Sequence, residues 1–586
     1  MVRSLVLAVC VASCVMSSCA VLGQDRGLLL VIVPEQDTTV TSSAAYRLSG
    51  STRPGCAVAL DGVPLRIYSS GAFAGLLPLQ VGENRFTLLA RSQNGETQEK
   101  TLLITRRPPL QSTPFDTLAI DSVLREPAEE LWFASGDVLN VQCKGTPGCR
   151  VTFLDGQPMV EVPDSATNGV RGIYRGSCLV TDQDRWDSTA ITFRLVDSAG
   201  HEVTAEAPGR VTVLSTRTPL IGVTRGERPF LNYGLGDDRL GGAKMSILVP
   251  GIRLAISGKS GRLLRVALAE GHEAWIPEQF VSFEPPGTPL PFTLAGSWNV
   301  YGEGKSDYVA ISLRDRIPYV TFTETDPSRI CVDLFGAVSN SNWITQHLTT
   351  KEIRNVSYQQ VGKNVVRVTI ELRHRQVWGY SVAYRGQTLV IGVRRQPESL
   401  DVDRLAFVLD AGHGGENEGA IGSTGVKEKD INLATVLHLQ RLLEEEGARV
   451  VLTRSADTAV AMNDRVAKAL GSNADMLISV HANAIGYTSN PENVKGTSTY
   501  YRHLCFRPLS QAIYAQLLET GLSPFGNVGG FNFLLNSPTE LPNVLVETAF
   551  MSHPLDEIRL LDDSFRKELA EKIVEGVKAF LEDAEE

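Results

Sequence analysis

Near Arg404 the sequence changes its hydrophobic period, and the change divides the chain into two kinds of structure. From residue 28 to residue 396, short runs rich in Val, Leu, Thr and Phe alternate with Gly, Asn and Pro, as half-buried strands joined by turns do. Beyond Arg404, short apolar strands alternate with longer helical segments, which predicts a mostly parallel sheet covered by helices. A chain of 586 residues is too long for one hydrophobic core. At roughly 100 to 200 residues per domain it predicts about four or five units. The expected fold class is therefore multidomain, with all-β N-terminal modules followed by a C-terminal α/β domain. A formal net charge of −10 without long basic runs lacks the footprint of a nucleic-acid binder, so no nucleic-acid partner is expected.

Arg3 precedes the apolar stretch Leu5 to Met16, followed by small residues, which reads as a signal peptide over residues 1–23. The stretch is too short to span a bilayer comfortably. Three of the nine cysteines, Cys10, Cys14 and Cys19, lie inside it. Val11-Ala12-Ser13-Cys14 and Met16-Ser17-Ser18-Cys19 both resemble a bacterial lipobox, whereas Val21-Leu22-Gly23 offers ordinary cleavage. Either reading predicts an exported protein of the periplasm or cell envelope, lipid-anchored to the membrane in the first case. Of the remaining cysteines, Cys143 and Cys149 are close enough in sequence to bridge a loop in an oxidising compartment.

The strand-rich region repeats itself. Pro54-Gly55-Cys56, Val58 and Asp61-Gly62-Val63-Pro64 are answered by Pro147-Gly148-Cys149, Val151 and Asp155-Gly156-Gln157-Pro158. Likewise Asn94-Gly95-Glu96-Thr97 is answered by Ala199-Gly200-His201-Glu202. Residues 28–108 and 115–214 thus resemble tandem immunoglobulin-like (Ig-like) sandwiches, read as spacers or docking stalks. Residues 216–285, ending in Val266-Ala267-Leu268, Gly271 and Trp275-Ile276-Pro277, resemble a small bacterial SH3-like barrel, with Trp275 expected in its core. The Pro-rich piece 285–291 reads as a linker. Residues 292–396 carry alternating runs such as Arg329 to Leu334, Val365 to Ile370 and Leu389 to Val393. They resemble the amidase N-terminal (AMIN) module, a β-rich targeting unit. These front modules are where envelope protein partners are expected.

In the C-terminal part, residues 404–586, strands are expected at Phe407–Asp410, Arg449–Thr453, Met476–Val480 and Val544–Glu547. His413, His481 and Glu547 then lie at the carboxyl ends of strands, where ligands collect in such sheets. Glu428 starts a helix whose apolar residues run from Ile431 to Leu443. Two imidazoles and a carboxylate suit Zn²⁺ and leave a fourth position open. Yet a lone strand-end histidine is more often structural, and the helix dipole alone favours a first-turn Glu, so spacing leaves the metal site undecided.

The segments Asp410-Ala411-Gly412-His413-Gly414-Gly415, Glu428-Lys429-Asp430-Ile431-Asn432-Leu433, Leu452-Thr453-Arg454, Ser479-Val480-His481-Ala482-Asn483-Ala484 and Val546-Glu547-Thr548-Ala549-Phe550 resemble, in order, those of the N-acetylmuramoyl-L-alanine amidase (amidase-3) family. The resemblance implies a zinc-dependent peptidoglycan amidase, with His413, Glu428 and His481 as metal ligands and Glu547 as the catalytic carboxylate. Asn417 stands where the family commonly has Asp, and His553 where it commonly has Asn. Some members carry a long helical insert that blocks the metal. Here only Ile485 to Lys495 separates Ala484 from Gly496, so no such helix is expected and control is assigned to the front modules. Two other readings stay open: an envelope-binding protein with a degenerate amidase domain, and a zinc peptidase.

Overall fold

The computed structural model describes residues 27–215, 217–236 and 240–585. The signal segment expected over 1–23, with Cys10, Cys14 and Cys19, lies outside the described residues. Ahead of the C-terminal α/β domain the described chain is almost entirely strand. Residues 29–106 form a three-stranded and a five-stranded sheet over a core that includes Leu48, Phe73, Leu88 and Ile104. The repeated motifs form like hairpins. Ala57–Leu60 turns into Val63–Pro64 through positive φ at Asp61 and Gly62, and Arg150–Phe153 turns into Gln157–Glu161 through positive φ at Leu154 and Gly156.

Hydrogen bonding runs on across the border expected near residue 215. The strand Leu131–Phe133 pairs parallel with Glu202–Val213 on one side and antiparallel with Arg253–Ser260 on the other. Trp275 is half-buried, not central. The local core is Leu231, Ile252, Leu254, Leu264, Val266 and Ile276, and it is continuous with Trp298, Val309, Val368 and Ile391 of the next module. Cys143 and Cys149 do not bridge, since all six cysteines of the described residues are free thiols. Tyr174, the cross-strand partner of Cys143, reaches the Cys149 amide with its hydroxyl at 3.0 Å.

The C-terminal sheet has six strands, β1 (Ala406–Ala411), β2 (Arg449–Leu452), β3 (Met476–Asn483), β4 (Thr497–Tyr500), β5 (Pro524–Val528) and β6 (Asn543–Phe550), in the order β2-β1-β3-β6-β4-β5. Neighbours are parallel except β4 against β6. Every residue of β1 and β6 is buried, which is why both read as near-continuous apolar runs. The helices are α1 (Glu428–Glu445), α2 (Met462–Gly471), α3 (Arg507–Leu518), α4 (Pro554–Leu561) and α5 (Asp563–Glu585). Helix α1 buries Ile431, Thr435, Leu439 and Leu443 at a spacing of four, so one face meets the sheet. It ends where Gly447 takes φ 92°, letting the Ala448 amide donate back to the Leu443 carbonyl. Helix α5 buries Phe565, Leu569, Ile573, Val577 and Phe580 along one stripe, each contributing about 1.5–3 kcal/mol by its removal from water.

Candidate metal centre

Three of the four residues singled out in the sequence converge through their side chains. His413 Nε2 and His481 Nδ1 each lie 3.1 Å from Glu428 Oε1, and the three ligand atoms all lie within 4.8 Å of one another. The fourth, Glu547, is placed by register, because β3 and β6 pair His481 directly with Glu547. Both strands extend beyond the expected ends at Val480 and Glu547. His481 therefore sits inside β3, and the pairing continues to Asn483 and Phe550 past a bulge. The Thr548 hydroxyl donates to the His481 carbonyl at 3.0 Å and ties the two strands at that level.

Glu428 opens α1, where the helix dipole favours a negative charge. Its Oε1 also accepts from Asn432 Nδ2 one turn later, at 3.1 Å, and its Oε2 accepts from the Ala420 amide at 2.8 Å. Burial works to raise its pKa. The hydrogen bonds from His413 and His481 outweigh burial and hold the carboxyl well below the usual carboxylate range. Burial works against a charged His413 ring in turn, and Glu428 outweighs it, so this imidazole is shifted upward.

Residues between the motifs hold these three side chains in place. Asn417 Oδ1 lies 2.9 Å from His413 Nδ1 and also accepts from the Gly419 amide, so the amide oxygen takes the Nδ1 proton and leaves Nε2 to face the centre. The departure from the family's usual Asp thus keeps the acceptor. Arg454 donates to the carbonyls of Ala411, Gly412 and Lys429. Arg465 reaches the carbonyls of Ala411 and His413 and pairs with Asp410 at 2.8 Å. Asp410 also accepts from Thr453 and Ser479 hydroxyls. Burial works against its charge, but Arg465 wins and keeps its pKa below the ordinary value. Arg465 was not foreseen. Its signal is an arginine on the stripe that α2 buries, beside Val466 and Ala469. His553, whose role the motifs left undefined, caps α4: its Nδ1 accepts from the Leu555 amide at 3.2 Å.

The donor set fits zinc. Ligands on a tetrahedral Zn²⁺ lie roughly 3.4 Å apart, given bond lengths near 2.0–2.1 Å. Two imidazoles and one carboxylate satisfy three of its four positions.

Comparison with known proteins identifies two domains of the chain. The family model described as N-acetylmuramoyl-L-alanine amidase matches residues 407–579, and that described as AMIN domain matches residues 299–393. The uncharacterized protein YqiI of Bacillus subtilis is 33% identical over 210 residues, covering 35% of this chain and 98% of its own length. The N-acetylmuramoyl-L-alanine amidase AmiC of Escherichia coli is 30% identical over 232 residues, covering 32% of this chain, and the chain spans 56% of that relative's length. A solved structure of the catalytic domain of CwlV, an N-acetylmuramoyl-L-alanine amidase from Paenibacillus polymyxa, is 32% identical over 30% of this chain and 98% of that one, with a TM-score of 0.29. With an amidase domain at its C-terminus and an AMIN domain before it, the chain belongs to the N-acetylmuramoyl-L-alanine amidase family.

Proposed function

We propose that the chain is a zinc-dependent amidase of the cell envelope that hydrolyses the amide between the lactyl group of N-acetylmuramic acid and L-alanine in peptidoglycan. The convergence of His413 Nε2, Glu428 Oε1 and His481 Nδ1 within 4.8 Å carries this reading. These three residues would hold Zn²⁺, which when bound polarises a carbonyl and lowers the pKa of water. Glu547, on the strand beside His481, takes the proton from the attacking water and passes it to the departing L-alanine amine. Arg454 and Arg465 fix the backbone that carries His413, so the imidazole would meet the metal without reorganising. Export, with or without a lipid anchor, and recruitment through the front modules belong to the same reading. The AMIN domain of an amidase-family chain supports it.

Digestion of purified sacculi by the full chain tests the reaction. Free stem peptides beginning with L-alanine and denuded glycan are expected, whereas trimmed stems would make it a peptidase. Glu547→Gln should keep about one equivalent of zinc by elemental analysis while losing turnover by a factor of about 10² or more. Substantial residual activity would remove Glu547 from the role.

A further inference from the structure

At the opposite end of β4 from the metal centre, a cavity of about 640 Å³ lies where three modules meet. Arg228 enters from the 217–285 module, Tyr319 and Tyr380 from the AMIN domain, and Arg502, Ser537 and Glu540 from the amidase domain. The two arginines are under-used. Arg502 Nη1 and Arg228 Nε are buried and make no hydrogen bond. What the guanidinium groups do donate is long, 3.3 Å from Arg502 Nη2 to the Lys244 carbonyl and 3.3 Å from Arg228 Nη2 to the Ser537 hydroxyl. Among the described residues no carboxylate forms an ion pair with either. Glu540 also lines the cavity, but its carboxylate accepts from the Thr539 amide at 2.8 Å.

Two guanidinium groups facing one cavity, neither ion-paired among the described residues, repel each other, and their buried unmet donors add to the cost. Burial and then the nearby Arg228 charge push the Arg502 guanidinium down to about 10. Burial and then the same two arginines push His503 down to about 4, so this imidazole is neutral and adds no charge.

We propose that this cavity is an oxyanion site, taking a carboxylate- or phosphate-bearing ligand between the guanidinium groups of Arg228 and Arg502. Guanidinium groups match both oxyanions through paired N–H donors. Because the walls come from three modules, a bound anion joins the front of the chain to the amidase domain and stabilises that joined state by mass action. The site is separate from the metal centre, so its occupancy does not depend on zinc.

The test uses the full chain and two probes, inorganic phosphate and succinate, titrated calorimetrically at an ionic strength held constant with sodium chloride. Saturable binding of at least one probe is expected, weakened tenfold or more in both Arg228→Met and Arg502→Met and unchanged in Arg225→Met, an exposed neighbour. Phosphate alone, or succinate alone, would name the natural anion as a phosphate or a carboxylate. A second readout separates binding from architecture. Without anion, Arg502→Met should melt at or above the parent temperature, because it removes a repelling charge. Absence of saturable binding, binding untouched by both substitutions, or a lowered melting temperature in Arg502→Met without anion would each overturn the proposal.

Discussion

His413 presents Nε2, the nitrogen proposed to bind the metal, from a backbone in the left-handed region, at φ 61°, immediately after Gly412. That turn brings the chain off the end of β1 and across the face of His481. A Cβ on Gly412 would lie 2.3 Å from His481 Cε1 and 2.5 Å from its Nδ1, the atom that faces the centre. Gly412→Ala is therefore expected to displace the His481 ring while leaving the buried strands intact, weakening zinc binding by roughly 10–100-fold, the range for disturbing a group that orients a ligand. Competition against a chromophoric chelator measures it, and unchanged affinity would show that the ring moves aside at no cost. Glycine beside His413 was legible in the sequence, as were the imidazoles and Glu428, because each sits in a short local motif. Arg465 was not. It meets the His413 carbonyl from 52 residues away, and its place on the buried stripe of α2 marks it as unusual without naming that partner.

Helix α4 shows how one element depends on one titrating side chain. His553 precedes Pro554, and its Nδ1 accepts from the Leu555 amide, satisfying one of the donors that a helix start leaves open. Only a neutral ring can accept. Burial, set against the attraction of Asp556, keeps its pKa below the ordinary 6.5. A depressed histidine stabilises the fold fully above 6.5, and that contribution is lost as pH falls below 6.5 through the lower folded value. His553→Asn supplies an amide oxygen that does not titrate, so its melting temperature should fall less than the parent's between pH 7 and pH 5. His553→Ala should cost about 1 kcal/mol at pH 7. Equal pH profiles for the parent and the Asn variant would show that the cap is not what titrates. At this scale the sequence was most readable where strands are apolar. The strands at β1, β2, β3 and β6 were anticipated, but β3 was cut short where polar His481 and Asn483 continue the ladder, and β6 was ended at Glu547 although Thr548 to Phe550 carry it on. The strand β4, Thr497–Tyr500, was missed because its Thr-Ser-Thr run is buried without being apolar.

Across the whole molecule, the relation between modules left no mark in the sequence. Neither the sheet shared through Leu131–Phe133 nor the seat of the first module on the amidase domain follows from any local run. That seat lies on the segment that leaves β3. Arg47 donates through Nη1 to the Ile485 carbonyl at 2.8 Å and through its amide to the Tyr487 carbonyl at 2.6 Å. Tyr487 stacks on Tyr46 with ring centroids 5.8 Å apart and donates to Glu35, while Tyr68 donates to Glu492. Ile485 is four residues beyond His481, and its own amide is held by the Ser552 hydroxyl, so the first module steadies one edge of the metal centre. The segment itself has a single short turn, Pro491–Asn493, as its helical content. Contacts this few and polar between modules open readily, and the loop beneath them is expected to open with them. A hydrogen bond from a charged donor contributes about 1.5–3 kcal/mol. Arg47→Ala should then speed amide exchange across residues 485–492 by roughly tenfold to a hundredfold, with amides of β1 and β6 unaffected. Hydrogen exchange followed by mass spectrometry on the full chain reads both regions together. If exchange over 485–492 stayed at the parent rate, the loop would be ordered by the amidase domain alone, and the first module would have no hold on the metal centre.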